Sequence, residues 1–298
     1  MTAPAWLWVV FTLLAATAQT FRNATQRSLT ERLGTAGATH IRFLFGLPFG
    51  LLALALVSLV TGELLTPNTA SLTWTVLGAI SQIAATALML AAMRERSFVV
   101  TIAYTKTEPV QVALFAVVFL GEHITLTLAI AIVIATVGVL ALSWPSRAGG
   151  EIFSWRPALL GIASGGLFAL AAVGFRGGIT ALGSVDFVPA ATLTLAISLT
   201  VQTVLLSTWL LVRDPVALRA VLKAWRPSLP AGFLGAFASE MWFLAFAIQS
   251  PARVRTLGLV EIVIAGLVSR RLFAQAPGIR DVVGMILVVV GIALLFSG

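Results

Sequence analysis

The stretch TIAYTKTEPVQVALFAVVFLGEHIT, residues 101–125, decides how the chain is read. It is apolar over a length that crosses a bilayer. Near its start stand Tyr104, Lys106, Glu108 and Pro109. Charges at such a place are costly unless they are paired, wetted or close to the interface. Pro109 lacks a backbone donor and is placed to bend the helix. An apparent counterpart, TLGLVEIVIAGLVSRRLF, lies at residues 256–273 and carries Glu261. The reading is that the two stretches are related by an internal repeat and face one transport path.

Working outward, the composition agrees. The chain of 298 residues is 59% hydrophobic and only 10% charged, where a soluble domain carries about 25% charged residues. Long apolar runs, rather than short alternating ones, indicate membrane helices and not a β-barrel. The net charge of +8 is scattered between apolar runs, so it reads as loop anchors and not as a nucleic-acid surface. Cysteine is absent, which excludes disulfides, thiolate catalysis and cysteine metal sites. No basic region precedes the first apolar segment, which therefore reads as a retained span.

Ten segments of near-spanning length follow: 6–21, 38–60, 72–93, 97–120, 126–144, 158–175, 187–212, 229–248, 254–273 and 282–296. The expected fold is an all-α membrane protein of ten transmembrane helices. Residues 1–146 form a first five-helix repeat, 147–156 a connector and 157–298 a second repeat. Spacing supports the repeat, since Glu108 to Gly138 and Glu261 to Gly291 are both 30 residues. Five spans per half place the halves in opposite orientations, the inverted-repeat plan of many carriers.

Loops after the odd-numbered spans hold 14 Lys and Arg, those on the other side hold Arg176, Arg253 and Arg255, and Arg42 and Lys106 lie inside spans. The basic side is expected in the cytoplasm, with both termini outside.

Several side chains are candidates for substrate or proton binding. Glu108 could take a proton or a cationic group, or pair with a base on a neighbouring helix. Lys106 is two residues from Glu108 and does not share its face, so each looks elsewhere. Glu261 has the same two readings, with Arg42 as a natural partner. Arg42 itself suits either that pairing or a substrate carboxylate. Tyr104 lies one turn before Glu108 and can share its face. Gln19, Gln82 and Glu240 sit in apolar runs, as do Gln202 and Gln249, lining a path or making ordinary interhelical bonds. Glu240 with Trp242 and Phe243 could accept a cation. His40 is a weak candidate for proton transfer.

Phe119-Leu120-Gly121-Glu122 after the apolar run, Pro109 within it, Gly138-Val139-Leu140 closing the next span and the Arg42-Phe43 pair resemble the drug/metabolite transporter superfamily, in its ten-span EamA-type branch. The resemblance implies an inner-membrane carrier of small polar metabolites, often amino acids or related compounds and often outward, working by alternating access as a monomer or homodimer in the lipid bilayer. It implies no cofactor, a proton being the coupling ion to consider, and no bond chemistry. It also implies both termini inside, against the charge count. An importer or exchanger of cations or organic anions is the alternative within the fold. An intramembrane enzyme would need a clustered acid, base or metal site, and the sequence shows none that is recognised.

Overall fold

The computed structural model describes residues 4, 6–95, 101, 104–143, 155–184, 186–262 and 279–297. Their regular elements are helices: α1 Leu7–Leu44, α2 Leu47–Thr61, α3 Thr69–Glu95, α4 Glu108–Leu120, α5 Leu126–Ser143, α6 Trp155–Ala181, α7 Phe187–Arg213, α8 Pro215–Lys223, α9 Trp225–Ile248, α10 Pro251–Leu257 and α11 Ile279–Leu294. The expected connector, apart from its last two residues, and the second half of the expected ninth span lie outside the described residues.

Among the described residues, five helices are long and apolar enough to cross a membrane: Arg32–Thr61, Thr69–Glu95, Trp155–Ala181, Phe187–Arg213 and Trp225–Ile248. Glu108–Leu120, Leu126–Ala141 and Val282–Leu294 are apolar but shorter. The distribution of side chains is that of a lipid-embedded body. Leu59, Val60, Val118 and Leu211 stand exposed, while Arg22, His40, Arg42, Lys106, Glu108 and Arg255 are buried. With hydrocarbon as the outer solvent, apolar side chains lose nothing by facing outward and charged ones must turn in.

The first expected loop, residues 22–37, is instead helical. α1 is two limbs that meet at Gly34, whose φ of 68° and ψ of 174° interrupt it. That backbone region is essentially open to glycine alone. The limbs lie against each other, since Gln26 Nε2 donates to the carbonyl of Ala38 at 2.9 Å. The charged run after Phe21 is therefore the lower part of a helix whose polar face turns inward: Arg22, Asn23, Gln26 and Thr30 are buried. A second correction concerns the basic loop after α7, which folds as the short helix α8. Asp214 caps it by accepting from the Ala217 amide at 2.9 Å, as an N-cap aspartate does.

The packing has a repeated pattern. α3 lies along α6, and α1 along α9; α2 meets α7, and α5 meets α11. The α5–α11 seam is closed by the two glycines that spacing had picked out. A Cβ on Gly138 would meet the Val288 amide nitrogen at 2.7 Å, and one on Gly291 the Ala135 amide nitrogen at 2.7 Å. Only glycine lets these backbones approach so closely.

A buried, crossed pair of ion pairs as the candidate functional site

Two helix breaks face each other at the centre of the bundle. The segment that enters at Tyr104 and Thr105 turns at Lys106–Thr107 before α4 begins. The segment of α10 turns at Gly258–Leu259, and helix resumes at residue 260. α10 packs on α4. Pro109 is thus not a mid-helix kink: it sits in the first turn of α4, where its missing donor costs nothing. The break precedes it. At the other end of α4, Gly121 takes a left-handed φ of 65° as the helix cap, which accounts for the glycine of the Leu-Gly-Glu sequence.

Each break carries one base and one acid, and the pairs cross. Lys106 Nζ pairs with Glu261 Oε1. Arg255 Nε lies 3.0 Å from Glu108 Oε1. All four side chains are under a tenth exposed. Lys106 and Glu108 do look elsewhere, each to the other break. The expected Glu261–Arg42 bridge is not formed, because Lys106 reaches Glu261 first across the facing turns.

The surrounding groups complete the cluster. Arg255 stacks its guanidinium on Trp242, 4.2 Å from the ring centre, and is 5.3 Å from that of Phe246. Trp242 Nε1 in turn donates to Gln19 Oε1 at 3.0 Å. Thr20 Oγ1 lies 3.4 Å from Glu261 Oε2 and shares its one proton between that oxygen and the Ala16 carbonyl at 3.0 Å. Gln19 and Thr20 thereby tie α1 to the ion pairs. Arg42 donates to Thr86 Oγ1 at 3.2 Å and reaches Ser239 Oγ at 3.5 Å. Arg22 donates through Nη2 to Asn23 Oδ1 at 2.7 Å.

The other candidates are placed apart from the ion pairs. Gln82 Oε1 accepts from Gln202 Nε2 at 2.7 Å, an ordinary interhelical bond between α3 and α7. Tyr104 backs onto Gly161 of α6, and its hydroxyl makes no hydrogen bond to Glu108 among the described residues. Glu240 Oε1 accepts from Thr192 Oγ1 at 2.6 Å, while its Oε2 is shut from solvent with no partner among the described residues. Phe243 packs on Phe175. His40 faces Ser207 at 3.0 Å.

Sequence reasoning missed Arg22 and Arg255, counting both as loop residues. The signal for Arg22 was present as Arg22, Gln26 and Thr30 at four-residue spacing, one polar stripe of a helix. For Arg255 it was Ser250-Pro251, a helix start, which places Arg255 in the second turn. Ser250 Oγ does cap there, accepting from the Arg253 amide at 3.4 Å.

With this geometry in hand, comparison with known proteins is informative. One solved structure, described only as "Crystal structure of protein", superposes with a TM-score of 0.68 at 17% sequence identity, covering 96% of this chain and 95% of its own. At that identity the likeness concerns the fold. No curated protein matches the chain. The EamA-like transporter family matches residues 6–144. That match spans α1 to α5, including the break at Lys106, Glu108 and the Gly121 cap. An EamA-like transporter domain thus occupies residues 6–144 of the chain.

Proposed function

We propose that the chain is a secondary transporter of a small polar metabolite, built as two inverted five-span halves, 1–146 and 157–298, that alternate in exposing a central site. The EamA-like domain and the all-helical membrane fold point to a carrier and not to an enzyme. The single observation that carries the reading is the crossed pairing. Each ion pair joins one half to the other, and both sit where a spanning segment is broken. Broken helices that meet at mid-membrane are where carriers of inverted-repeat design bind their cargo. The repeated packing supports the same plan, because α3 on α6 and α1 on α9 are equivalent under exchange of the halves.

Export of an amino acid or related compound is the direction and cargo that the family resemblance favours. The charge bias persists once Arg22 and Arg255 are moved from loops into the bundle, leaving 13 basic residues against Arg176 and Arg253. That bias favours a cytoplasmic basic side, with both termini outside. The coupling proton is better assigned to Glu240 than to Glu108 or Glu261, because protonating either of those would dissolve an ion pair, whereas Glu240 holds only a threonine.

Counterflow in proteoliposomes tests the proposal. Liposomes preloaded with unlabelled metabolite should transiently accumulate the labelled compound. Folded protein that exchanges no member of a panel of amino acids, amines and organic acids would sink the carrier reading.

A further inference from the structure

We infer that Arg22 and Arg42 form the binding site of a small organic or inorganic anion, carboxylate or phosphate, and that the transported solute is anionic. This rests on the carrier reading above and names its substrate class.

The central cluster holds four bases, Arg22, Arg42, Lys106 and Arg255, and two acids, Glu108 and Glu261. Both acids are committed to Lys106 and Arg255. Glu261 acts on Arg22 through space, but its carboxylate is already held. Among the described residues neither Arg22 nor Arg42 forms an ion pair. Of the other acids whose side chains are described, Glu240 is bonded to Thr192, and Glu63, Glu95, Glu122, Asp186 and Asp214 lie in loops or at helix ends.

Among the described side chains, two guanidiniums are therefore buried without a counter-charge in contact. Arg22 is 1% exposed and Arg42 2%. Arg22 Nε and Nη1 have no acceptor among the described residues. Among the described residues Arg42 has two hydroxyls, one of them at 3.5 Å, and the Phe43 ring 5.2 Å from its guanidinium carbon. The two stems converge on one glycine: a Cβ on Gly235 would meet Arg42 Cγ at 3.1 Å and Arg22 Cδ at 3.6 Å.

Buried charges are ordinarily paired, because desolvation is not otherwise repaid. A fold does not gain by burying two neighbouring cations that repel each other. An anion between them removes that repulsion and supplies the missing acceptors. Guanidinium forks match the two oxygens of a carboxylate or phosphate. Ser239, whose oxygen accepts from Arg42, keeps its hydroxyl proton as a neutral donor beside the fork, whereas the Thr86 proton is held by the Gln82 carbonyl at 2.8 Å. The excess of two positive charges fits a dianion best. An amine or a neutral zwitterion would leave that excess in place.

The face of α9 that meets this site continues to the ion pairs. Gly235, Ser239, Trp242 and Phe246 follow helical spacing, and the first two border Arg42 while the last two border Arg255. One stripe of α9, about 16 Å long from Gly235 to Phe246, therefore borders both the proposed anion site and the crossed pairs.

The test is thermal melting of purified protein with succinate, inorganic phosphate, alanine or putrescine added, for the wild type and for Arg22→Gln, Arg42→Gln and Gly235→Ala. Succinate or phosphate should raise the melting temperature, and alanine and putrescine should not. Each arginine variant should weaken the anion response by about tenfold or more. Their ligand-free forms should melt at or above the wild type, because they no longer bury an unpaired cation. Gly235→Ala should weaken the response with every charge retained. Ligand-free arginine variants melting well below the wild type, with the anion response intact, would show that the arginines merely brace the fold and would overturn the inference. So would stabilisation by the amine or zwitterion alone, or by none of the four. Counterflow separates the two readings. Anions that bind but do not exchange defeat the carrier reading and leave the site standing. Alanine or putrescine exchanging, while anions neither bind nor exchange, does the reverse.

Discussion

The Arg255–Glu108 pair makes a quantitative prediction. At 3.0 Å and an effective dielectric constant of about 20, two unit charges attract by roughly 5.5 kcal/mol. Both side chains are under a tenth exposed, so solvent screens them little. Removing one partner leaves the other charge buried and costs about 3–5 kcal/mol. Removing both removes the orphan too, so Glu108→Gln with Arg255→Gln should lie within about 1 kcal/mol of the wild type. The cycle should therefore show a coupling of at least about 5 kcal/mol.

The singles should also be unequal. Glu108→Gln leaves Arg255 stacked on Trp242 at 4.2 Å, and a desolvated cation–π contact is worth up to about 2 kcal/mol. Arg255→Gln leaves Glu108 with no base at contact distance. Arg255→Gln should thus be the more damaging by about 1–2 kcal/mol. The assay is equilibrium unfolding in mixed micelles followed by tryptophan fluorescence, with Trp242 as a local reporter. Additive single effects, with the double variant the least stable of the three, would refute the pairing. Equal singles would refute the role given to Trp242.

Four further outcomes follow. Glu240→Gln should abolish the dependence of transport on a pH gradient and spare counterflow; gradient-driven transport at the wild-type rate would remove Glu240 as the coupling group. Gly138→Val and Gly291→Val should each destabilise the α5–α11 seam by about 1–3 kcal/mol or more, read as loss of the folded monomer in detergent, whereas wild-type behaviour of both would mean the seam opens freely. Glu122 lies in the loop after α4, where burial raises its carboxyl above the usual range and Arg176, at 3.8 Å, pulls the other way. A raised folded value means stability present at low pH and lost as pH rises above the ordinary value of 4.5 through the folded one. Melting temperature should fall over that window, and Glu122→Gln should flatten the fall. The chain has no cysteine, so single cysteines report orientation cleanly: Glu63→Cys should react with an impermeant maleimide on intact cells and Lys223→Cys only after lysis, and the opposite pattern would establish the orientation that the family resemblance implies.

How much of this was legible depends on which interactions are local. The apolar runs are local, so helices α2 to α7, α9 and α11 could be placed from hydropathy with errors at their ends. The glycine spacing was also legible, and Gly138 and Gly291 do close a seam. Gly34 was not, because hydropathy reads RNATQRSLTER as a loop when it is a helix with a buried polar face. Glu108, Lys106 and Glu261 were visible as anomalies inside apolar runs. Their partners were not, because Lys106 and Glu261 are 155 residues apart and no pattern in one segment specifies the other. Arg22 and Arg255 were hidden for the converse reason. They lie at the margins of apolar runs, where a charge looks ordinary until the helix is seen to continue past it.

The crossing itself adds a constraint that neither pair has alone. Glu108 feels Lys106 and Glu261 as well as Arg255, so the four charges form one network and not two independent bonds. A motion of one half that separates Arg255 from Glu108 also shifts Lys106, which stands two residues away on the same turn, relative to Glu261. The two pairs should consequently open together or not at all, which suits a switch between two discrete states better than a continuous deformation. An anion arriving at Arg22 and Arg42 enters the field of Arg255, which acts on both arginines. It therefore competes with Glu108 for Arg255 and weakens the latch from inside. On this argument the double variant Glu108→Gln, Arg255→Gln, though stable, should exchange anions with less selectivity between loaded and empty states. It should leak its anion gradient in the absence of counter-substrate, where the wild type holds it. Efflux from preloaded liposomes into substrate-free buffer measures this directly, and a double variant as tight as the wild type would show that the crossed pairs do not gate.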